Sequence, residues 1–161
     1  MRGAPRASRP HLPGYGVMPA NEGEGLLPWS WAEEHLVESR NYWVATCRAD
    51  GRPHLMAVWG IWHGASLWFS TGSESVKAKN LARDPRCSIS TERGDEAVIV
   101  EGVVERVTDQ PALKRVYEVY QAKYGWSMEG ESFYVLRPRV VFAFFEHADQ
   151  FASTATRWRF D

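Results

Sequence analysis

A chain of 161 residues with 24% charged residues and a net charge of −1 has room for one domain with a real core, and lacks the global basic field that attracts nucleic acid. No apolar run reaches the roughly 18 residues a membrane span needs, and the early arginines have no apolar segment behind them, so neither a membrane span nor a secretory leader is expected. Cys47 and Cys87 stand apart without a CxxC pattern, which suits free buried thiols in a reducing, cytoplasmic setting.

In chain order, residues 1–28 are rich in Gly, Pro and small polar residues and read as an irregular arm, with the folded domain over 29–161. Ser30-Trp31-Ala32-Glu33 has the spacing of a capping box and predicts a short helix from Trp31 to about Ser39. Tyr42–Cys47 is β-branched and aromatic, and Asp50-Gly51 marks a turn behind it. Pro53–Trp62 and Ser66–Thr71 follow as strands joined by His63-Gly64-Ala65, which makes a three-stranded antiparallel meander. Arg86–Thr91 gives a fourth strand, and Ala97–Val107 a long fifth with a bend or bulge expected at Gly102. Pro111 opens a helix whose stripe of Leu113, Val116, Tyr117, Tyr120 and Tyr124 is core-facing. Phe133–Phe145 is strand-like but interrupted by Arg137-Pro138-Arg139, and Thr156–Phe160 is a last short strand. Six or seven strands with two or three short helices predict a mainly β chain closed into an antiparallel barrel.

The stretch that carries chemistry is Leu67–Leu81. An apolar strand runs into a turn at Gly72 and then into a basic helix with Ser75, Lys77 and Lys79 at its start. A helix N-terminus leaves backbone N–H groups unpaired and carries partial positive charge, so an anion is favoured there. Ser70, Thr71 and Ser75 add hydroxyls, and the two lysines are expected to converge on the anion in front of the first turn. Against this cradle stands the plainer reading that Ser75 only caps the helix and the lysines only solvate it. The P-loop and GxGxxG patterns are both absent. Trp59 and Trp62 fall on opposite faces of a regular strand. None of the histidines pairs at HxH or HxxxH spacing, so no metal site is expected; His54 is a possible neighbour of a bound ring.

Asp50-Gly51-Arg52-Pro53-His54, Met56-Ala57-Val58-Trp59, Leu67-Trp68-Phe69-Ser70-Thr71, Ser75-Val76-Lys77-Ala78-Lys79-Asn80-Leu81 and Val100-Glu101-Gly102 occur in an order that resembles the pyridoxamine 5′-phosphate oxidase-like split-barrel family. The resemblance is closest to short members that use the deazaflavin coenzyme F420 or FMN in reductions. It implies a homodimeric split β-barrel with the cofactor phosphate held by Ser75, Lys77, Lys79 and Asn80 together with Ser70 and Thr71. It also implies that the ring lies along Met56, Ala57, Val58 and Trp59; for Trp59, cofactor wall and core filler both remain open. The true oxidases of the family carry Arg-x-Val-Leu-Leu-Lys and Arg-x-His elements. Here those places read Pro53–Trp59 and Ser153-Thr154-Ala155, a departure that ranks pyridoxamine phosphate oxidation third among the expected functions.

Two functions follow from the resemblance. One is an F420- or FMN-dependent oxidoreductase that moves a hydride between cofactor and a small organic substrate. The other is a non-catalytic barrel that holds a cofactor, haem or another tetrapyrrole. Arg83 and Arg86 are placed to meet the acidic tail of F420, and Arg157-Trp158-Arg159 is placed to approach a neighbouring subunit's pocket. No contact with nucleic acid is expected.

Overall fold

The computed structural model describes residues 5–17, 19, 25–147 and 150–161. In chain order the elements are β1 (Arg6–Ser8), α1 (Trp29–Glu38), β2 (Asn41–Cys47), β3 (Pro53–His63), β4 (Ser66–Ser70), α2 (Val76–Arg83), β5 (Arg86–Thr91), β6 (Glu96–Val107), α3 (Gln110–Tyr124), β7 (Phe133–Phe145), α4 (Phe151–Thr154) and β8 (Thr156–Arg159). Every pairing is antiparallel. The strands β7, β4, β3, β2, β5 and β6 form a ring that closes by the β6–β7 pairing, and β8 and β1 extend the sheet beyond β7.

β7 makes closure possible because it is long enough to serve two partners on one side. Phe133–Leu136 matches β4 by way of Ser70–Leu67, Val140–Ala143 matches β8, and β6 runs along the other side throughout. Inward positions alternate as a half-buried strand requires. Tyr42, Val44, Phe69, Ile89, Val98, Val100, Leu136 and Val141 fill the barrel beneath Leu36 of α1. A second cluster lies outside the barrel wall, where Leu113, Val116 and Tyr120 of α3 cover Ile61 and Phe133.

The meander, the fourth strand and the bulge stand as expected, and four expectations are corrected. Six strands make the barrel, but eight strands and four helices are present among the described residues. The arm is not wholly irregular: Arg6–Ser8 pairs with β8, whose outer edge otherwise offers unpaired backbone groups. The capping box does not form. α1 starts two residues earlier at Trp29 behind Pro28, with no side-chain cap, because Trp29 packs edge-on to Trp158 at 5.4 Å and Glu33 accepts from Trp62 Nε1 at 3.1 Å. β7 is not interrupted at Pro138. Glu101 faces Val140 and Gly102 faces Pro138, so Arg139 is the extra residue of a bulge that absorbs the missing proline N–H. Gly102 is required there, since a Cβ would sit 2.1 Å from the Arg137 carbonyl oxygen.

Candidate functional site

β4 pairs with β3 only from Gly60 to His63, so the first half of β3, Pro53–Trp59, has β2 on one side and no strand on the other. The pleat splits that half into two faces. His54, Met56 and Val58 stand opposite Thr46, Val44 and Tyr42 on the barrel side, whereas Leu55, Ala57 and Trp59 stand opposite Ala45, Trp43 and Asn41 on the outer side. The side chains of the quartet Met56–Trp59 therefore alternate between the two faces, two on each.

α2 packs beside β2 at the same end of the barrel. Ser75 N–H donates to the Gly72 carbonyl at 3.0 Å, which closes the turn after β4. Ser75 Oγ then accepts from Ala78 N–H at 3.1 Å and shares a hydrogen bond with Thr71 Oγ1 at 3.0 Å, so the plainer reading of Ser75 as a helix cap holds. Ser70 Oγ is likewise engaged, donating to the Ser132 carbonyl at 2.9 Å.

The helical phase separates the lysines. Ala78 and Leu81 anchor the inner face of α2, and Lys77 and Asn80 sit beside them, both buried. Asn80 Nδ2 donates to Thr46 Oγ1 at 3.0 Å. Lys77 is only 9% exposed and its ammonium has no hydrogen-bond or ion-pair partner among the described residues; burial pushes its pKa down. Lys79, at i+2, has 63% of its side chain exposed and pairs with Glu74 Oε2 at 3.2 Å on the solvent side. The two cations do not converge. Next to Lys77, the half-buried ring of His54 turns Nδ1 into the protein, where it has no partner. Burial, then Arg48, then Lys77 hold that imidazole below its ordinary pKa.

On the outer face, Trp59 stacks on Tyr124 with ring centres 4.5 Å apart and planes 7° from parallel, and the Arg40 guanidinium lies over both rings. Trp62 is buried in the core, on the opposite side as expected. The tail residues are committed elsewhere: Arg157 donates to Ser8 Oγ at 3.1 Å, and Trp158 is buried at the β8 end of β7, away from the β4 end. Arg86 is held by Asp84, 2.7 Å away, and Arg83 donates to the Cys47 carbonyl.

Sequence reasoning missed Lys123. Its Nζ donates to the Ser39 carbonyl at 2.6 Å, the Gly60 carbonyl at 2.9 Å and the Tyr42 hydroxyl oxygen at 3.0 Å, tying α3 to the barrel wall. Its pKa is pushed down to about 8, by burial first, with Glu92 opposing. The available signal was position: Lys123 is i+3 from Tyr120 and borders the apolar stripe.

A family model described as pyridoxamine 5′-phosphate oxidase matches residues 32–145. The chain belongs to that family. A conserved hypothetical protein of Mycobacterium tuberculosis is similar at 30% identity, with 74% of this chain and 85% of that one covered and a TM-score of 0.63. An F420 reductase is similar at 25% identity, covering 68% and 94% of the two chains, with a TM-score of 0.56. A haem-binding protein of Mycobacterium smegmatis shares the fold at 23% identity, 76% and 57% coverage and a TM-score of 0.60. No curated protein matches the chain. Proteins of this split-barrel fold thus include a reductase that uses F420 and a protein that binds haem. Among the described residues, no helix is long and apolar enough to cross a membrane.

Proposed function

We propose that this family member is a cytoplasmic, homodimeric oxidoreductase that uses F420, or alternatively FMN, to transfer a hydride to or from a small organic substrate. One observation carries the reading: Lys77, the least exposed cation of the basic helix, has no anion of its own among the described residues. A partly desolvated ammonium without a counter-charge attracts an anion, and a phosphate entering along the open half of β3 supplies one. When bound, the deazaflavin or flavin ring supplies the hydride chemistry. The chain supplies the rest. Lys77 pairs with the phosphate, Asn80 and Thr46 brace the inner face of α2, and Met56 and Val58 present an apolar edge on the same side of β3.

The outer face gives the dimer its surface. Trp43, Leu55 and Trp59 are large apolar side chains left exposed on adjoining strands. A second copy seated there would cover them and bring its own residues toward the open half of β3. Ala57 and Trp59 then face the neighbouring copy, a division of roles that the pleat imposes. The alternative, a barrel that holds haem or another tetrapyrrole without turnover, has fold-level likeness behind it.

The test is to incubate the pure protein with F420, FMN or haemin, desalt it, and record the absorption spectrum. A co-eluting deazaflavin or flavin band is expected, with turnover of reduced cofactor against a panel of enones and quinones. A haem band with neither of the others, or binding without any turnover, reassigns the chain to the carriers.

A further inference from the structure

Lys77 is not the sole group under α2 without a partner in the chain among the described residues. Across the β2–β3 ladder, His54 stands opposite Thr46, the residue that receives the Asn80 amide. Lys77 lies one turn before Asn80 on the same face of that helix. The four side chains therefore surround one end of the barrel, and two of them are incomplete: the ammonium lacks an acceptor, and the imidazole Nδ1 is buried without a partner. A buried polar nitrogen left unpaired is unusual in a folded protein and calls for a reason. Thr46 and Asn80 satisfy each other, so neither supplies one.

The charged groups facing the ring are few. Arg48, from the turn between β2 and β3, and Lys77, from α2, both oppose its protonation, and among the described residues no carboxylate counters them. A second cation in this place is therefore unfavourable until an anion arrives. Because the ring is only half-buried, rotation about Cβ–Cγ exchanges Nδ1 with the carbon on its other side. The orphaned nitrogen is thus not locked inward.

We propose that His54 is a second anion-holding residue of this site, its imidazole taking up a proton and donating through Nδ1 to the phosphate oxyanion that Lys77 pairs. The inference rests on the cofactor reading for the identity of the ligand, but not for the chemistry of the pocket. The chemistry shared by all candidate ligands is a phosphate oxygen, whether from a deazaflavin diester, a flavin monoester or free inorganic phosphate. No bond is made or broken; one proton moves from water to the ring. Binding then stabilises the protonated ring and moves its pKa upward from the depressed value of the free protein. Between the free and bound values each binding event consumes a proton, so affinity falls as pH rises through that window.

Two measurements test this, and neither depends on turnover. In the first, the ring of His54 is followed by NMR across pH 5 to 8, on the order of the ordinary histidine range, with and without saturating inorganic phosphate, F420 or FMN. An upward shift of its titration with a phosphate ligand is expected; a titration that stays put with every ligand overturns the proposal. In the second, calorimetry in two buffers of different ionisation enthalpy counts protons taken up on binding, for the native chain and for His54→Gln. Subtraction removes the ligand's own second phosphate proton. The variant is expected to lose the proton uptake and to bind about tenfold more weakly at low pH, the factor one charge-assisted hydrogen bond carries. Equal affinity and equal proton uptake in both proteins overturn the proposal while leaving the cofactor reading intact. If inorganic phosphate shifts the ring but neither cofactor binds, the anion pocket stands and the cofactor reading fails.

Discussion

Two lysines enter the barrel wall from two helices, and they are treated in opposite ways. Lys123 of α3 is half-buried and meets three oxygens, two of them backbone carbonyls. Lys77 of α2 is the less exposed residue, yet its ammonium reaches solvent and meets no oxygen of the chain among the described residues. Depth alone would rank Lys77 as the more structural of the two. Satisfaction reverses the ranking. A cation whose hydrogen bonds are all made inside the chain is holding the fold together, whereas one whose stem is buried while its ammonium stays open to solvent and meets no oxygen of the chain is free to take a ligand.

The largest expected effect separates them by ligand binding. Lys77→Met removes the least exposed cation on α2 and should weaken phosphate-bearing cofactors by about 2–3 kcal/mol, the range for hydrogen bonds to charged groups. Fluorescence or absorbance titration reads this as a loss on the order of 30- to 150-fold. The melting temperature should hold, because the ammonium makes no hydrogen bond within the chain among the described residues and an apolar side chain of similar length keeps the packing of the stem. A Lys77→Met protein that binds normally but melts early would mean that Lys77 does structural work after all.

Lys123→Met should behave the other way round. It leaves the Ser39 carbonyl and the Tyr42 hydroxyl oxygen without this donor and the Gly60 carbonyl with the Tyr124 hydroxyl alone, at a cost of about 2 kcal/mol of stability. Urea unfolding reads the loss as a lower midpoint at unchanged slope. Cofactor affinity should be nearly untouched.

The pH dependence sharpens the same contrast. Lys123 is shifted from an ordinary 10.5 down to about 8, chiefly by burial. Between those values the unfolded chain holds a proton that the folded chain has released, so the unfolded state binds more protons and stability rises with pH. Its contribution is complete above the unfolded value and is lost as pH falls through the folded one. Unfolding midpoints taken from pH 7.5 to 10.5, on the order of that window, should therefore climb for the native chain relative to Lys123→Met. Parallel curves would place the titration elsewhere.

Much of this was legible in the chain, and the exceptions have physical causes. Arg86–Thr91 is bounded by Asp84-Pro85 and Glu92-Arg93-Gly94, and Tyr42–Cys47 is followed by Asp50-Gly51, so punctuation and alternation defined both strands. β1 has three residues and owes its existence to the free edge of β8, a partner 150 or so positions away that no local pattern announces. The cradle stretch is legible in the sequence, and so is the fact that two lysines at i, i+2 share no face of a regular helix; the expectation that they converge in front of the first turn depends on side-chain direction, which spacing does not give. Ala78 and Leu81, three apart, already marked the inner face of α2 and put Lys77 beside it and Lys79 off it. His54 and Lys123 were harder. An orphaned nitrogen and a triply satisfied ammonium are properties of the tertiary surroundings, and the residue type states neither.

The smallest expected effect belongs to Lys79, and it decides where the anion sits. Its side chain is exposed and paired with Glu74, itself exposed, and such pairs contribute at most about 1 kcal/mol. Lys79→Ala should leave stability unchanged and weaken cofactor binding by no more than about twofold, an effect that vanishes with added salt because the charge acts through solvent. An anion in front of the helix N-terminus, by contrast, would meet the backbone dipole and both lysines, and Lys77→Met and Lys79→Ala would then cost alike. An anion beneath the first turn, on the side where Asn80 and His54 lie, meets Lys77 alone. Equal losses for the two variants at high salt would move the ligand out of the barrel mouth and leave the Lys77 ammonium without its explanation.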